Sequence, residues 1–389
     1  MTGDGTGYDA ARIEVLDGRE AIRKRPGMYV GSIGERGLHH LVFDVVGRAV
    51  DQFLAGRCGS VDVTLTADGG VRVADDGPQD PFEIDEETGG PGLEALLTGF
   101  LTDYWPSGRR SVTVSHFNVG LFVVNALSSR LTAEVRCEGV HRLREYACGA
   151  EIGPTVVAVE PTAGSGTTVA FWPDTGIFET TQCLFAVLAE RFRQLAFLNR
   201  GLRISLTDER PAGGTRAVSF RYPDGVRDFV AALDAETGMS LGRDVIGFER
   251  EDPRMAGTME VALLWSGSGE ERTLGFANSG ATAEGGAHLD GFRDGVTAAV
   301  TAYARGRGLS AATDADPCAH RIGAGLKAVV SVKLDRPKFL GSTRGLLGNP
   351  DVRMCVGEAV REHLANWFEE RPEQAMEIVD RMVRGTHEL

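Results

Sequence analysis

His40, Asp44, Arg48 and Asp51 fall at four-, four- and three-residue steps in an otherwise apolar stretch, and these side chains are the ones best spaced to do chemistry. His40 and Asp44 lie one helical turn apart and make an acid–base pair. Arg48, a turn further on, carries a permanent charge and hydrogen-bond donors only, so it suits an anion and cannot ligate a cation. The same spacing sets Arg48 beside Asp44, an ion pair that would tie down the acid.

The element that must position them is a helix. Leu38, Leu41, Val42, Val45, Ala49 and Phe53 recur at helical spacing, and Phe43, Val46, Val50 and Leu54 cover a second face. A helix apolar on two faces is buried. Its remaining face, with Gly47 among the four polar residues, either closes on itself or lines a pocket, because buried polar groups need partners. Behind it, Val61 to Thr66 alternates as a strand, Asp68-Gly69-Gly70 turns, and Val71 to Ala74 returns to end at Asp75-Asp76-Gly77. Helices are predicted over Leu93 to Leu101, Val119 to Leu127 and Thr181 to Phe197, with strand-like runs between the last two. Tyr222-Pro223-Asp224-Gly225 marks a boundary near residue 220, before a fresh helix at Val226 to Leu233. Beyond it come strands at 259–265 and 328–334, a helix near 288–305 and a helix pair over 350–384. Mixed strands and helices predict α+β or α/β layers in both halves.

At 389 residues the chain is long enough for two domains, and 42% hydrophobic with 25% charged residues fits an ordinary globular protein. A net charge of -14 argues against a DNA-coating surface, since phosphate contacts want clustered cations. Lysine is confined to Lys24, Lys327, Lys333 and Lys338, with arginine supplying the rest of the positive charge. No apolar run approaches the roughly 20 residues of a membrane span, and the start shows no secretory signal, so a cytoplasmic location is expected. Cys58, Cys137, Cys148, Cys183, Cys318 and Cys355 lack metal-ligand spacing and are expected to be free thiols.

The stretch from Leu38 to Gln52 resembles the first ATP-site helix of the DNA gyrase B and topoisomerase IV family, where the pattern reads His-His-x-Val-Phe-Glu-Val-Val-Asp-Asn-Ala-x-Asp-Glu. The resemblance covers essentially the whole chain. It is strongest over Tyr8 to Tyr29, Leu38 to Asp51, Gly166 to Pro173, Phe276 to Arg293 and Val329 to Phe339. It implies an α+β fold: a gyrase-B-type ATPase α/β sandwich followed by a ribosomal-protein-like βαβ transducer. The divisions it implies are an N-terminal dimerisation arm and short helix over 1–32, the ATP-site domain over 33–220 and the transducer over 221–389. The family's DNA-cleavage half has no counterpart here, so an isolated strand-passage enzyme is not expected.

The resemblance also implies what each position does in the family. His40 matches the histidine that assists the catalytic Glu. Asp44 replaces that Glu, and losing one methylene withdraws the carboxylate by about 1.5 Å from the water a general base must reach. Arg48 replaces the Asn that holds magnesium. Asp75 matches the Asp that reads the adenine amino group, and Thr167 the threonine of its water network. The following Arg-Gly-Ile-Pro motif becomes Pro78-Gln79-Asp80-Pro81, and Cys137 falls near where an arginine often flanks the pocket. In the phosphate lid, Gly-Gly-Leu-His-Gly-Val-Gly becomes Val114-Ser115-His116-Phe117-Asn118-Val119-Gly120, which removes three glycines whose backbone amides would converge on phosphate. Tyr104 and Trp105 stand in the preceding lid, and the transducer's Gln-Thr-Lys loop becomes Ser342-Thr343-Arg344.

Together these substitutions predict a pseudo-ATPase with no Mg-ATP cofactor, whose cleft, lined by Arg48, Asp51, Asp75, Pro78, Asp80, Trp105, His116, Phe117, Asn118, Thr167 and Arg344, takes a small molecule. The alternatives are a repurposed enzyme using His40 and Asp44, a gyrase-interacting or resistance protein, and a residual weak ATPase. Tyr8 and Ile13 match arm residues that reach a second subunit, which predicts a homodimer. Arg293 matches an arginine facing the transducer's DNA-sized cavity, but one arginine on an acidic chain makes DNA an unexpected partner.

Overall fold

In the computed structural model, residues 17–77, 92–100, 112, 120–159, 164–212, 214–236, 244–267, 269–309, 322–341 and 344–384 are described. Two short helices, α1 (Gly18–Lys24) and α2 (Gly27–Val30), lead into α3 (Glu35–Leu54). Asp17 caps α1 by accepting the Glu20 amide at 2.7 Å. Most of the two apolar faces foreseen for α3 is buried: Leu38, Leu41, Val42, Val45, Val46, Ala49 and Val50 are closed to solvent, each Leu or Val side chain worth roughly 1.5–3 kcal/mol, while Phe43, Phe53 and Leu54 are half-buried.

The sheet beneath α3 is built from β1 (Ser60–Leu65), β2 (Val71–Asp75), β3 (Ser128–Cys137), β4 (Val140–Ala147), β5 (Ala150–Glu151), β6 (Val156–Val159), β7 (Gly166–Pro173), β8 (Arg203–Asp208) and β9 (Arg216–Phe220). Its order is β5-β4-β3-β7-β2-β1-β8-β9, with β6 also on β4. Pairing is antiparallel except between β1 and β8. Three further helices belong to this half: α4 (Leu93–Thr98), α5 (Leu121–Ala126) and α6 (Phe185–Leu198). Val61, Val63, Leu65, Val71, Val73, Val169 and Phe171 from the strands share one core with α3, with Val123 and Val124 of α5, and with Leu188, Phe192 and Leu195 of α6. The result is one helical layer on one sheet.

The second half holds α7 (Val226–Ala235), β10 (Ile246–Asp252), β11 (Gly257–Trp265), β12 (Arg272–Ala277), β13 (Gly280–Ala281), β14 (Gly285–Gly286), α8 (Ala287–Gly306), β15 (Leu326–Leu334), β16 (Phe339–Leu340), β17 (Leu346–Leu347), α9 (Pro350–Glu370) and α10 (Pro372–Arg384). One sheet runs β10-β11-β15-β12-β13 and a small one β14-β17-β16. Strands β12 and β15 are parallel and joined through α8, the βαβ arrangement the resemblance implied. No helix among the described residues is long and apolar enough to cross a membrane. Cys58, Cys137, Cys148, Cys183 and Cys355 are free thiols, and Cys318 lies outside the described residues.

A buried polar joint links the halves. Arg191 on α6 donates to the Ser279 carbonyl at 3.1 Å, Asn199 donates to Ser279 Oγ at 3.2 Å, and Lys333 on β15 donates to Asn199 Oδ1 at 3.1 Å. Burial pulls the Lys333 pKa down, against the nearby carboxylate of Glu260.

Two departures from the sequence expectations have local causes. Helix α6 begins at Phe185 rather than Thr181, because the Gln182 amide turns to Thr180 Oγ1 at 3.1 Å and the Leu184 amide to the His39 ring at 2.9 Å. Strands β8, β9, β10 and β12, and the two-residue strands β13, β14, β16 and β17, were not foreseen. In β12 the pattern is broken by Gly275, where a Cβ would sit 2.4 Å from His288 Nε2.

His288 on α8 is fully buried beneath that strand, with Nε2 3.0 Å from Thr282 Oγ1, and burial lowers its pKa to about 4. An unfolded imidazole takes its proton near pH 6.5, while the folded one stays neutral until about pH 4. Its contribution is therefore complete above pH 6.5 and lost as pH falls from there toward 4, on the order of 3 kcal/mol. Urea unfolding at pH 7 and pH 4.5 should show a smaller drop in midpoint for His288→Gln than for the parent, and equal drops would clear His288 as the source.

Candidate functional site

The central strand β2 ends at Asp75, and the ladder places that residue opposite Val61 on β1 and Thr167 on β7. Gly166, the residue before Thr167, has φ +151 and presses so close that a Cβ there would lie 2.4 Å from the Asp75 carbonyl oxygen. Only glycine fits that approach. Helix α3 crosses this end of the sheet and delivers Arg48 to it. Arg48 Nη1 donates to Asp75 Oδ2 at 2.9 Å, with the two side chains 12% and 3% exposed. Asp75 Oδ1 accepts the Gly77 amide at 3.1 Å.

This pairing corrects an expectation. Spacing along the helix offers Asp44 to Arg48, whereas the structure gives Arg48 to Asp75, which lies 27 positions away in sequence. His40 and Asp44 are buried on the same face of α3, and the His40 ring meets Phe43 edge-on at 6.3 Å between centroids. Asp51 is drawn to a backbone group: its Oδ1 accepts the amide of Val112 at 2.7 Å, so it anchors the chain at that point.

The neighbours of the pair are also accounted for. Burial pushes the Asp76 pKa up, but hydrogen bonds from the Gly59 amide (2.7 Å) and from the Ser60 amide and hydroxyl (3.1 and 2.8 Å) outweigh it and hold the carboxyl below its usual range. Burial, with the charges of Asp75 and Asp76 beside it, pushes the Cys58 thiol up to about 12 against the pull of Arg48. Cys58 is therefore a protonated thiol at neutral pH, 3.6 Å from the Ala49 carbonyl, and not a nucleophile.

The structure thus sets His40, Asp44 and Arg48 at four-residue steps along α3 and joins Arg48 to Asp75, which the ladder places opposite Thr167. Arg344 lies two residues before β17 of the small sheet, with φ +53, and among the described residues no hydrogen bond or ion pair links it to α3, β2 or β7. Pro78, Asp80, Trp105, His116, Phe117, Asn118, Tyr8 and Ile13 lie outside the described residues. Sequence reasoning missed His39, whose Nε2 accepts the Leu184 amide and whose pKa burial lowers, so that the ring stays a neutral acceptor. Nothing in its spacing signals that role, since Leu184 is 145 positions away.

Comparison with known proteins decides the family. The DNA gyrase B family model matches residues 225–388. The gyrase B subunit of Streptomyces coelicolor is 41% identical over 98% of this chain, and the novobiocin-resistant gyrase B subunit of Streptomyces niveus 42% identical over 97%. Among solved structures, the 43K ATPase domain of Thermus thermophilus gyrase B, in complex with an aminocoumarin, aligns with a TM-score of 0.79 at 32% identity, over 95% of this chain and 94% of that one. The topoisomerase IV ATP-binding domain of Francisella tularensis, in complex with a small-molecule inhibitor, aligns at 0.76 and 26% identity, over 95% and 97%. The chain belongs to the DNA gyrase B family. It spans 58% of the length of the two Streptomyces gyrase B subunits and corresponds to the ATPase-domain part of gyrase B.

Within the gyrase B fold, Arg48–Asp75 is a buried ion pair whose partners depend on each other. Removing one charge strands the other in a low-dielectric wall, a loss of about 3–5 kcal/mol. Arg48→Ala and Asp75→Ala should each lower the urea-unfolding stability by that order, and the double variant should lose far less than the sum. Simple additivity of the two losses would show that the pair is not coupled.

Proposed function

We propose that this gyrase B family chain is a pseudo-ATPase whose cleft binds a small molecule and does not turn over Mg-ATP. The Arg48–Asp75 ion pair carries this reading. Arg48 stands where the family has its magnesium-holding Asn, and a guanidinium has five donors, no acceptor and a fixed positive charge. A divalent cation at that position would meet like charge rather than a ligand oxygen, so the residues present do not fit the metal. Asp44 adds a second loss, since its shorter side chain withdraws the carboxylate from the attacking water. The sequence changes in the lid, where Val114, Ser115 and Asn118 replace glycine, act in the same direction.

Small-molecule binding is supported by the fold's record elsewhere, with an aminocoumarin on the Thermus thermophilus domain and an inhibitor on the Francisella tularensis domain. We assign Arg48, Asp75 and Thr167 to the ligand wall, and the family resemblance adds Pro78, Asp80, Trp105, His116, Phe117 and Asn118. Family membership supports a second copy of the chain, joined through an arm bearing Tyr8 and Ile13, and gyrase subunits as partners. A second reading has one observation in its favour: His40 and Asp44 are buried a turn apart on the same wall, which suits acid–base catalysis on a bound ligand.

Calorimetric titration with Mg-ATP, coupled to a phosphate-release assay, tests the first reading. We expect no phosphate release above the blank, and micromolar binding with steady release would overturn it. A metabolite screen then separates binder from enzyme. Unchanged ligand recovered from both the parent and Asp44→Asn marks a binder, while product formed by the parent alone marks catalysis.

A further inference from the structure

We propose that the Arg48–Asp75 pair reverses the hydrogen-bonding polarity of the cleft wall, so that the wall selects a ligand presenting an acceptor oxygen, oxo or carboxylate, where a lone aspartate would take an amino group. This rests on the reading of the cleft as a small-molecule site. An ionised carboxylate only accepts, so Asp75 without a partner would recruit donors. Here Oδ2 holds the Arg48 guanidinium at 2.9 Å and Oδ1 the Gly77 amide at 3.1 Å. An arriving amine must compete with a charge-assisted bond for a carboxylate whose charge is already balanced.

The guanidinium supplies what the carboxylate no longer offers. Among the described residues Arg48 commits only Nη1 to Asp75, and its side chain keeps 12% exposure. A guanidinium held in that way presents its other N–H groups to oxygen with little entropy left to lose. Nearby groups do not restore an acceptor wall. Asp76 is consumed by Gly59 and Ser60, and Cys58 stays protonated. Thr167, buried opposite Asp75, can donate as well as accept. A lactam offers its carbonyl, and a carboxylate its oxygens, to the remaining Arg48 N–H groups.

The test titrates the full chain with matched probes: hypoxanthine against adenine, 2-pyridone against 2-aminopyridine, and benzoate against benzamidine. We expect at least one oxygen member to bind about tenfold or more tighter than its amine partner. The purine and pyridine pairs report a lactam ligand and the benzoate pair a carboxylate one. Arg48→Asn should abolish or reverse the preference, with a thermal melt confirming a folded variant. Should that variant not fold, Arg48→Lys keeps the charge without the fork and should reduce the preference. Equal or tighter binding of the amines by the parent, no binding of any oxygen member, or a preference untouched by these substitutions would overturn the proposal. Phosphate release from Mg-ATP with the oxygen preference intact would overturn the pseudo-ATPase reading alone. No turnover with an amine preference would overturn only the present inference.

Discussion

A guanidinium and a carboxylate, both withdrawn from water, tie the long helix of the first half to the central strand of its sheet. Taking both charges out of water costs several kcal/mol for each, and the geometry at 2.9 Å with an added amide on Asp75 offsets that cost. The surrounding backbone is shaped to hold the carboxylate in place. The ladder fixes Asp75 opposite Thr167, and Gly166 permits the contact that a side chain would block. One interaction therefore fixes how α3 meets the end of β2.

Other polar residues of the first half serve the backbone. Asp51 accepts the Val112 amide, Asp76 the amides of Gly59 and Ser60, and His39 that of Leu184. The Gly59, Ser60 and Leu184 amides fall at the starts of β1 and α6, where a backbone N–H has no partner within its own element. The joint between the halves is closed by neutral and cationic groups: Asn199, Ser279, Arg191 and Lys333 hydrogen-bond one another across α6, the β12–β13 turn and β15. The first half is thereby seated on the half that carries the βαβ unit through polar contacts as well as through Phe197, Val226, Phe229 and Phe276.

How far the fold could be read beforehand depended on how strongly each element is patterned. Helix α3, the β1–β2 hairpin, β11, β15, α8 and the terminal helix pair carry clean apolar periodicities, and all of them formed. Strand β10, Ile246-Gly247-Phe248-Glu249-Arg250-Glu251-Asp252, is half charged because it lies at a sheet edge, where one ladder partner and solvent share it. Strand β12 carries a glycine where His288 comes close, so its pattern reports a packing contact and not its secondary structure.

The sequence alone determined the polar stripe on a buried helix, the family frame around it, and the replacement of a Glu by Asp44 and of an Asn by Arg48. Those follow from residue type and from short-range spacing, which a linear chain displays directly. Only the tertiary structure decided what Arg48 does. Spacing names the neighbours along a helix, and it pointed to Asp44; the sheet brings Asp75 to the same place from 27 residues away and provides a buried carboxylate already held by the Gly77 amide. A long, flexible cation in a low-dielectric wall settles on the carboxylate whose geometry compensates best for desolvation, and that geometry is a property of strand register and helix crossing that no local pattern encodes.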